Sequence, residues 1–143
     1  MLGFVFSIIA GAAMSVQGVL NTRLSEKIGL YEANVVVQGT AFALSAVALL
    51  FLGKGYFREV ADVPRYYWLG GVLGLIITIT VMLGIKDLNP TVSISTILIA
   101  QLLVAALIDA FGLFGSEKIA FGWSKYVGIA VMIAGVVIFK LKI

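Results

Sequence analysis

Residues 90–115 read PTVSISTILIAQLLVAALIDAFGLFG, a long apolar run that begins with a proline and ends in glycines. A helix that crosses the bilayer core needs about 20 mainly apolar residues, and the stretch supplies them. Pro90 stands where the first turn of a helix tolerates a missing N–H, and Asn89 before it is a typical N-cap residue. The pattern therefore predicts a membrane-spanning helix over residues 91–112.

Four further segments of the chain have the same apolar character and a similar length. They are residues 3–20, 33–52, 66–85 and 124–139. The chain has 143 residues, which is enough for one domain. We therefore expect an all-α, polytopic membrane protein with five transmembrane helices, forming a single transmembrane domain over residues 1–143.

The composition supports a membrane environment. Hydrophobic residues make up 62% of the chain and charged residues 12%, and the mean hydropathy is +1.14. A soluble domain averages about 45–50% apolar and about 25% charged residues. This excludes a free-standing soluble enzyme and a disordered regulator. The net charge of +3 comes from basic residues spread between apolar blocks, so we expect a bilayer as partner and no nucleic acid.

Several kinds of chemistry have no residues to support them. The chain contains no cysteine and no histidine, which excludes thiolate nucleophiles and imidazole metal ligands. No stretch resembles a nucleotide-binding loop or a catalytic triad. We therefore expect no catalytic residues, no metal and no cofactor, and a membrane enzyme is disfavoured.

The basic residues are divided equally between the two sides of the membrane. With five spans, the side of the N-terminus (side A) carries Lys54, Arg58, Arg65, Lys118 and Lys125, and the opposite side (side B) carries Arg23, Lys27, Lys86, Lys140 and Lys142. The positive-inside rule reads an excess of Lys and Arg near the spans, and here there is none. Either the equal number of basic residues on the two sides is accidental, or the chain inserts in both orientations and pairs as an antiparallel homodimer of ten helices.

Amide side chains inside the predicted spans are candidates for substrate binding. They are Gln17 and Asn21 in the first span, Gln38 in the second and Gln101 near the middle of the fourth. Polar groups in lipid are costly and usually face a bundle interior or a cavity. The alternative interpretation makes these amides hydrogen-bonding contacts between helices, with Asn21 as a cap at a helix end.

Asp109 is the acidic residue that the prediction places within a span. It follows Gln101 by two turns, about 80° around the helix and roughly 12 Å along it. A carboxylate in a membrane is a functional hypothesis by default, and this one could couple a proton or bind a cation. The competing interpretation places it at the side A interface, paired with a basic residue such as Lys118.

Glycines at helical spacing predict close packing of the spans. The candidates for packing are Gly11, Gly39, Gly70, Gly74, Gly128 and Gly135. Small residues let transmembrane helices approach closely, and the pattern is common in such helices. It is therefore weak evidence of any particular function.

Two blocks of the sequence resemble the YdcZ-like family of small five-span proteins in the drug/metabolite transporter superfamily. The first block runs over residues 11–24, including Gln17 and Asn21, and continues to Asn34, Gln38 and Gly39; the second covers 99–103 and 109–115, with Gly128 and Gly135 in the last span. The similarity covers nearly the whole chain. The chain departs from the family pattern at Val16, where members often have a proline before the glutamine, so a helix break there is in doubt.

The resemblance implies transport and an antiparallel assembly, because the family contains single, paired and fused forms. It supplies no substrate, since the substrates of the family are largely undefined. We expect a secondary transporter of a small polar or amphipathic molecule, working by alternating access around a polar pocket at the midplane. A dual-topology channel or a non-transporting accessory subunit is the alternative. Residues 1–22 hold no Lys or Arg and so lack the start of a signal peptide. We expect a prokaryotic inner membrane.

Overall fold

The computed structural model describes residues 1–119 and 122–140, except for the side chain of Lys140. Lys142, which was counted on side B, lies outside the described residues. Five α-helices follow one another: α1 (Leu2–Ile28), α2 (Leu30–Leu52), α3 (Leu69–Asp87), α4 (Pro90–Phe111) and α5 (Trp123–Lys140). Short 3-10 turns cover Phe57–Ala61, Arg65–Trp68 and Leu113–Gly115. The described residues form no strand, so the all-helical prediction is confirmed.

Four of the helical segments are long and apolar enough to cross a membrane. They are Leu2–Ile28, Leu30–Leu52, Arg65–Asp87 and Pro90–Phe111, and the apolar stretch of α5, Trp123–Phe139, is shorter. Residues 76–81 (IITITV) favour strands in water, yet they lie within α3. A spanning segment has to satisfy its own backbone hydrogen bonds in lipid, and the helix does so.

The first helix extends beyond the predicted span. Residues 3–20 were expected to cross the membrane, but α1 continues to Ile28 and is about 40 Å long, against about 30 Å for the hydrocarbon core. The additional turns carry charged side chains, and Nη1 of Arg23 donates to Oε2 of Glu26 at 3.0 Å. Water at the membrane surface accommodates these charges, so the helix has no reason to end at Leu20.

Contacts divide the chain into two compact units, Met1–Lys86 and Asp87–Ile143. The first unit contains α1, α2 and α3, and the second contains α4 and α5. In the first unit, α1 packs beside α2 through a connection of one residue, Gly29. In the second unit, α4 packs beside α5.

Helix α4 begins where the sequence predicted. Asn89 is its N-cap and accepts a hydrogen bond from the Val92 N–H through its side chain at 3.1 Å, and Pro90 occupies the first turn. The helix ends at Gly112, which is left-handed (φ 64°) and donates its N–H to the Ile108 carbonyl. Glycine suits this position because a left-handed conformation carries no Cβ penalty.

Little of the described chain is buried. The buried apolar residues are Ala33, Met82, Ile85 and Val92, and the buried polar residues are Asn21, Thr22, Asn34 and Ser93. Large apolar side chains point outward along every helix. A soluble protein could not expose so much apolar surface, so lipid or other membrane helices cover it.

Candidate functional site

Seven hydroxyl groups within the helices are satisfied by their own backbone. The bonds run from Ser7 to Gly3, Ser15 to Gly11, Thr22 to Gly18, Thr40 to Val36, Thr78 to Gly74, Thr80 to Ile76 and Thr96 to Val92, with lengths of 2.8–3.0 Å. Each hydroxyl donates to a carbonyl four residues earlier. The hydroxyl groups are therefore not the groups most in need of a partner inside the membrane.

The amides differ from the hydroxyls. Within the described residues, the side chains of Gln17, Gln38 and Gln101 make no hydrogen bond, and Gln17 and Gln101 are exposed in the middle of apolar helices. A polar group in hydrocarbon without a partner costs several kcal/mol by order of magnitude. These two amides therefore require a ligand, a cavity or another chain.

Gln17 and Asn21 share one surface of α1. They line a groove of about 610 Å³ together with Ile9, Ala12, Ala13, Val16 and Leu20. Asn21 is 9% exposed, whereas Gln17 is open to the surroundings. The structure thus brings these two predicted site residues together in a mainly apolar groove.

Gln38 lies on the face of α2 that meets α3. Its Nε2 atom is 3.7 Å from the point where a Cβ on Gly74 would stand. Asn34 lies one turn away on the same face and is 4% exposed, and its Oδ1 atom has no hydrogen-bond partner among the described residues. The sequence analysis named Asn34 in the family resemblance but did not select it as a site residue, although it stands four residues before Gln38.

A close contact between two helices of the first unit is at a glycine that the sequence analysis missed. A Cβ on Gly18 would stand 2.8 Å from Cδ1 of Ile85 and 3.1 Å from Cγ1 of Val81, so α1 and α3 approach closely there. Five of the six predicted packing glycines have open space where a Cβ would stand: Gly11, Gly39, Gly70, Gly128 and Gly135. A methyl group at any of these five positions would therefore meet no neighbouring helix in the described chain.

Asp109 lines a groove between α4 and α5. The groove has a volume of about 350 Å³, and its lining residues are Leu102, Ala105, Ala106, Asp109, Lys125, Gly128, Ile129 and Met132. Each helix supplies four of these residues, so Lys125 and Gly128 of α5 line the same groove as Asp109 of α4.

Lys118, named in the sequence analysis as a possible partner of Asp109, lies in the loop after α4. Its Cβ is 3.5 Å from the point where a Cβ on Gly112 would stand. The loop is tied to α4 by the Ile119 N–H, which donates to the Asp109 backbone carbonyl at 2.9 Å. The half-buried carboxylate of Asp109 makes no hydrogen bond or ion pair within the described residues.

The groove between α4 and α5 does not include Gln101. A second groove on the same hairpin, of about 390 Å³, is lined by Leu103, Ala106, Leu107, Ala110, Tyr126 and Ile129, and it too lacks Gln101.

No group of three or more acidic, cysteine or histidine side chains that could hold a metal occurs in the described ranges.

The helices and their exposed apolar surface define a polytopic membrane protein. The chain matches the family DMT_YdcZ, described as "Putative inner membrane exporter, YdcZ", over residues 2–138, and it belongs to that family. No curated protein and no solved structure matches it significantly. The family places the protein in the inner membrane and in a transporter class rather than an enzyme class, and the predicted resemblance is confirmed.

Proposed function

We propose that the protein exports a small polar or amphipathic molecule by alternating access, as an antiparallel homodimer. The observation that carries the proposal is the exposure of Gln17 and Gln101 in the middle of apolar helices. A second copy in the opposite orientation covers these amides, and the paired copies form the inverted repeat that many transporters use. The equal division of basic residues permits both orientations.

In this proposal the amides bind the substrate. Gln17, Asn21, Gln38 and Gln101 supply donors and acceptors to a pocket at the midplane, and they orient a polar molecule without requiring it to be charged. Asp109 couples export to a proton or a cation, because a carboxylate inside a membrane can exchange one for the other. Replacement of Asp109 by Asn would then abolish the pH dependence of export.

The open glycine positions support a contact between copies. Gly11, Gly39, Gly70, Gly128 and Gly135 have space beside them that a helix of a second chain can occupy. Gly74, in contrast, lies against Gln38 of the same chain.

The orientation of the chain tests the dimer directly. The chain contains no cysteine, so a single cysteine reports one position. Gly55→Cys places it in the side A loop, where nothing lies within 4 Å of the Cβ, and Leu88→Cys places it on side B, where Leu88 is 43% exposed. Both changes leave the number of basic residues unaltered.

Each variant is labelled from outside intact cells with an impermeant maleimide, and again after permeabilisation. Partial labelling at both positions is expected, because both orientations exist. Full labelling at one position and none at the other contradicts the antiparallel homodimer and leaves a single-orientation channel or an accessory subunit.

Export is tested in the same cells by mass spectrometry of the medium. Cells that produce the wild type are compared with cells that produce Gln17→Leu or Gln101→Leu, at equal protein level. At least one small molecule should accumulate in the medium with the wild type and return to background with either variant. Thr80→Val is the control, because that hydroxyl already donates to the Ile76 carbonyl at 2.8 Å. No difference between wild type and empty cells would refute export.

A further inference from the structure

The segment that joins α2 to the third span is not buried by the rest of the described chain. It covers residues 53–64, after α2 ends at Leu52 and before the apolar segment Arg65–Asp87 begins. Every residue from 51 to 73 is exposed. Because both ends of the segment continue into membrane-spanning helices, it is held at the surface of the bilayer on side A.

This segment contains a short 3-10 turn, Phe57–Ala61. The Glu59 N–H donates to the Tyr56 carbonyl and the Asp62 N–H donates to the Glu59 carbonyl, both at 3.1 Å. In a 3-10 helix, residues three apart in the sequence lie on the same face. The repeat of three therefore extends over residues 57–62.

The repeat arranges the side chains of the turn in three rows. Phe57 and Val60 form an apolar row, and their exposed fractions are 75% and 42%. Glu59 and Asp62 form an acidic row, about a third of a turn away. Arg58 lies in the third row. The turn is therefore amphipathic, with its apolar and acidic residues on different faces.

Water alone does not explain this turn. A single helical turn has few internal hydrogen bonds and is marginally stable unless an apolar face packs against something. The surface at hand is the lipid that covers the ends of the two flanking spans, and it can accept Phe57 and Val60. Arg58 makes no hydrogen bond or ion pair with the described residues, and a guanidinium group fits a phosphate group well.

We propose that residues 57–62 form an interfacial turn that binds the surface of a bilayer containing anionic phospholipid. Phe57 and Val60 lie among the lipid chains just below the headgroups, Arg58 binds lipid phosphate, and the acidic row stays in water. Amphipathic helical segments with a basic residue bind membrane surfaces in this manner. The proposal goes beyond the proposed function, because it requires neither transport nor a dimer and applies to either orientation.

Nitroxide labels on single cysteines test the depth of the two rows in the whole protein. Phe57→Cys and Val60→Cys report the apolar row, and Glu59→Cys and Asp62→Cys report the acidic row of the same turn. The purified protein is reconstituted in vesicles of phosphatidylcholine and phosphatidylglycerol. Collision of each label with oxygen, which dissolves in lipid, is compared with its collision with a nickel chelate, which stays in water.

Both reagents are present on both sides of the vesicle, so the result does not depend on the orientation of the chain. The ratio of oxygen to nickel collisions should be several-fold higher in the apolar row than in the acidic row. Phe42→Cys, exposed near the middle of α2, gives the reference ratio for the hydrocarbon core. Equal ratios in the two rows would overturn the proposal. Slow collision of the apolar row with both reagents would also overturn it, because a protein surface and not lipid would then cover the row.

A fluorophore on Val60→Cys tests the contact between Arg58 and lipid phosphate. The lipid composition is kept constant, and a quenching nitroxide is placed on the chains of either phosphatidylglycerol or phosphatidylcholine. Labelled phosphatidylglycerol should quench more strongly. Arg58→Gln should lower the relative affinity for phosphatidylglycerol about 5-fold, which corresponds to about 1 kcal/mol for a basic residue near an anionic surface.

Two further variants control for the loss of a basic residue. Arg58→Lys should retain most of the preference for phosphatidylglycerol, because the charge is kept. Arg23→Gln should quench as the parent protein does, since Arg23 lies on side B and pairs with Glu26 at 3.0 Å. An unchanged preference in Arg58→Gln, or an equal fall in Arg23→Gln, would overturn the assignment of Arg58 to lipid phosphate. Export and mixed orientation could still be observed in either case, so the proposed function is tested separately.

Discussion

Gly29 and Asn89 adopt nearly the same backbone conformation, with φ 103° and ψ 157° at Gly29 and φ 92° and ψ 155° at Asn89. Each stands immediately before a helix, and each carbonyl accepts the N–H of the residue four positions later at 3.1 Å. Glycine reaches this conformation without steric cost, whereas a residue with a Cβ is strained there. Asn89 accepts this strain and also provides the side-chain cap of α4.

Two substitutions at Asn89 separate the cap from the strain. Asn89→Ala loses the cap, which costs about 1 kcal/mol, and retains a Cβ in the strained conformation. Asn89→Gly loses the same cap but removes the strain of about 1–3 kcal/mol. Thermal unfolding in detergent should therefore show Asn89→Ala clearly below the wild type and Asn89→Gly at or above it. An equal fall of the unfolding temperature in both variants would show that the backbone conformation carries no strain.

Gly18 should tolerate no added atom without a change in its neighbour. Gly18→Ala places a methyl group 2.8 Å from Cδ1 of Ile85, and overpacking of this kind costs about 1–3 kcal/mol. Ile85→Val removes that Cδ1 atom, so the double variant should recover part of the loss. Gly11→Ala on the same helix is the control, because nothing lies within 4 Å of its Cβ position, and its stability should not fall. The unfolding temperatures of these variants, measured by tryptophan fluorescence, show whether the contact between Gly18 and Ile85 limits the size of the residue.

Asn34 should be replaceable by an apolar residue without loss of stability. Its Oδ1 atom is buried without a hydrogen-bond partner in the described part of the chain, and such an atom costs about 1–3 kcal/mol. Asn34→Leu has a similar volume and no polar group, so its unfolding temperature should equal or exceed that of the wild type. Met82→Ala, also at a buried position, is the contrasting control, since it leaves a cavity and should cost about 2–5 kcal/mol. A large fall of the unfolding temperature in Asn34→Leu would show that the Asn34 amide has a hydrogen-bond partner.

The orientation of the chain should respond to small changes in charge. Arg58→Gln with Arg65→Gln leaves three basic residues on side A against five on side B. Side B should then face the cytoplasm in most copies, because the side with more Lys and Arg is retained inside. Maleimide should label the Gly55→Cys reporter fully from outside and leave the Leu88→Cys reporter unlabelled.

The opposite change provides the control for that experiment. Arg23→Gln with Lys27→Gln removes two basic residues from side B. Maleimide should then label the Leu88→Cys reporter fully from outside and leave the Gly55→Cys reporter unlabelled. Identical labelling of both double variants would show that the balance of basic residues does not determine orientation.

The helices could be predicted from hydropathy because lipid imposes a simple condition on a spanning segment. Residues 91–112 were expected to span and α4 covers Pro90–Phe111, with Asn89 as its cap. The ends that lie in water were less predictable. Residues 66–85 were expected as one span, and Arg65–Asp87 is long and apolar enough to cross a membrane. Its first residues, Arg65–Trp68, form a 3-10 turn before α3 begins at Leu69, which was not predicted. Interfacial aromatic residues fit either conformation, so composition could not distinguish them.

The sequence shows the residue types of the candidate site but not which of them come together. Asp109 stood out because a carboxylate is rare in an apolar helix, whereas Lys125 looked like an ordinary charge at a span end. Both line one groove because α5 packs beside α4, and hydropathy does not define where α5 begins to within one turn. Gly18 was missed for a related reason, since its neighbour Ile85 lies on a helix far along the sequence.

The exposed amides of Gln17 and Gln101 have a consequence for the fate of a newly made chain. A copy without a partner carries two groups that lipid cannot satisfy. If the proposed dimer covers them, a paired copy is more stable than an unpaired one, and the stability of the fold depends on the concentration of the protein in the membrane. A shortage of one orientation would then limit how much of the other is stabilised.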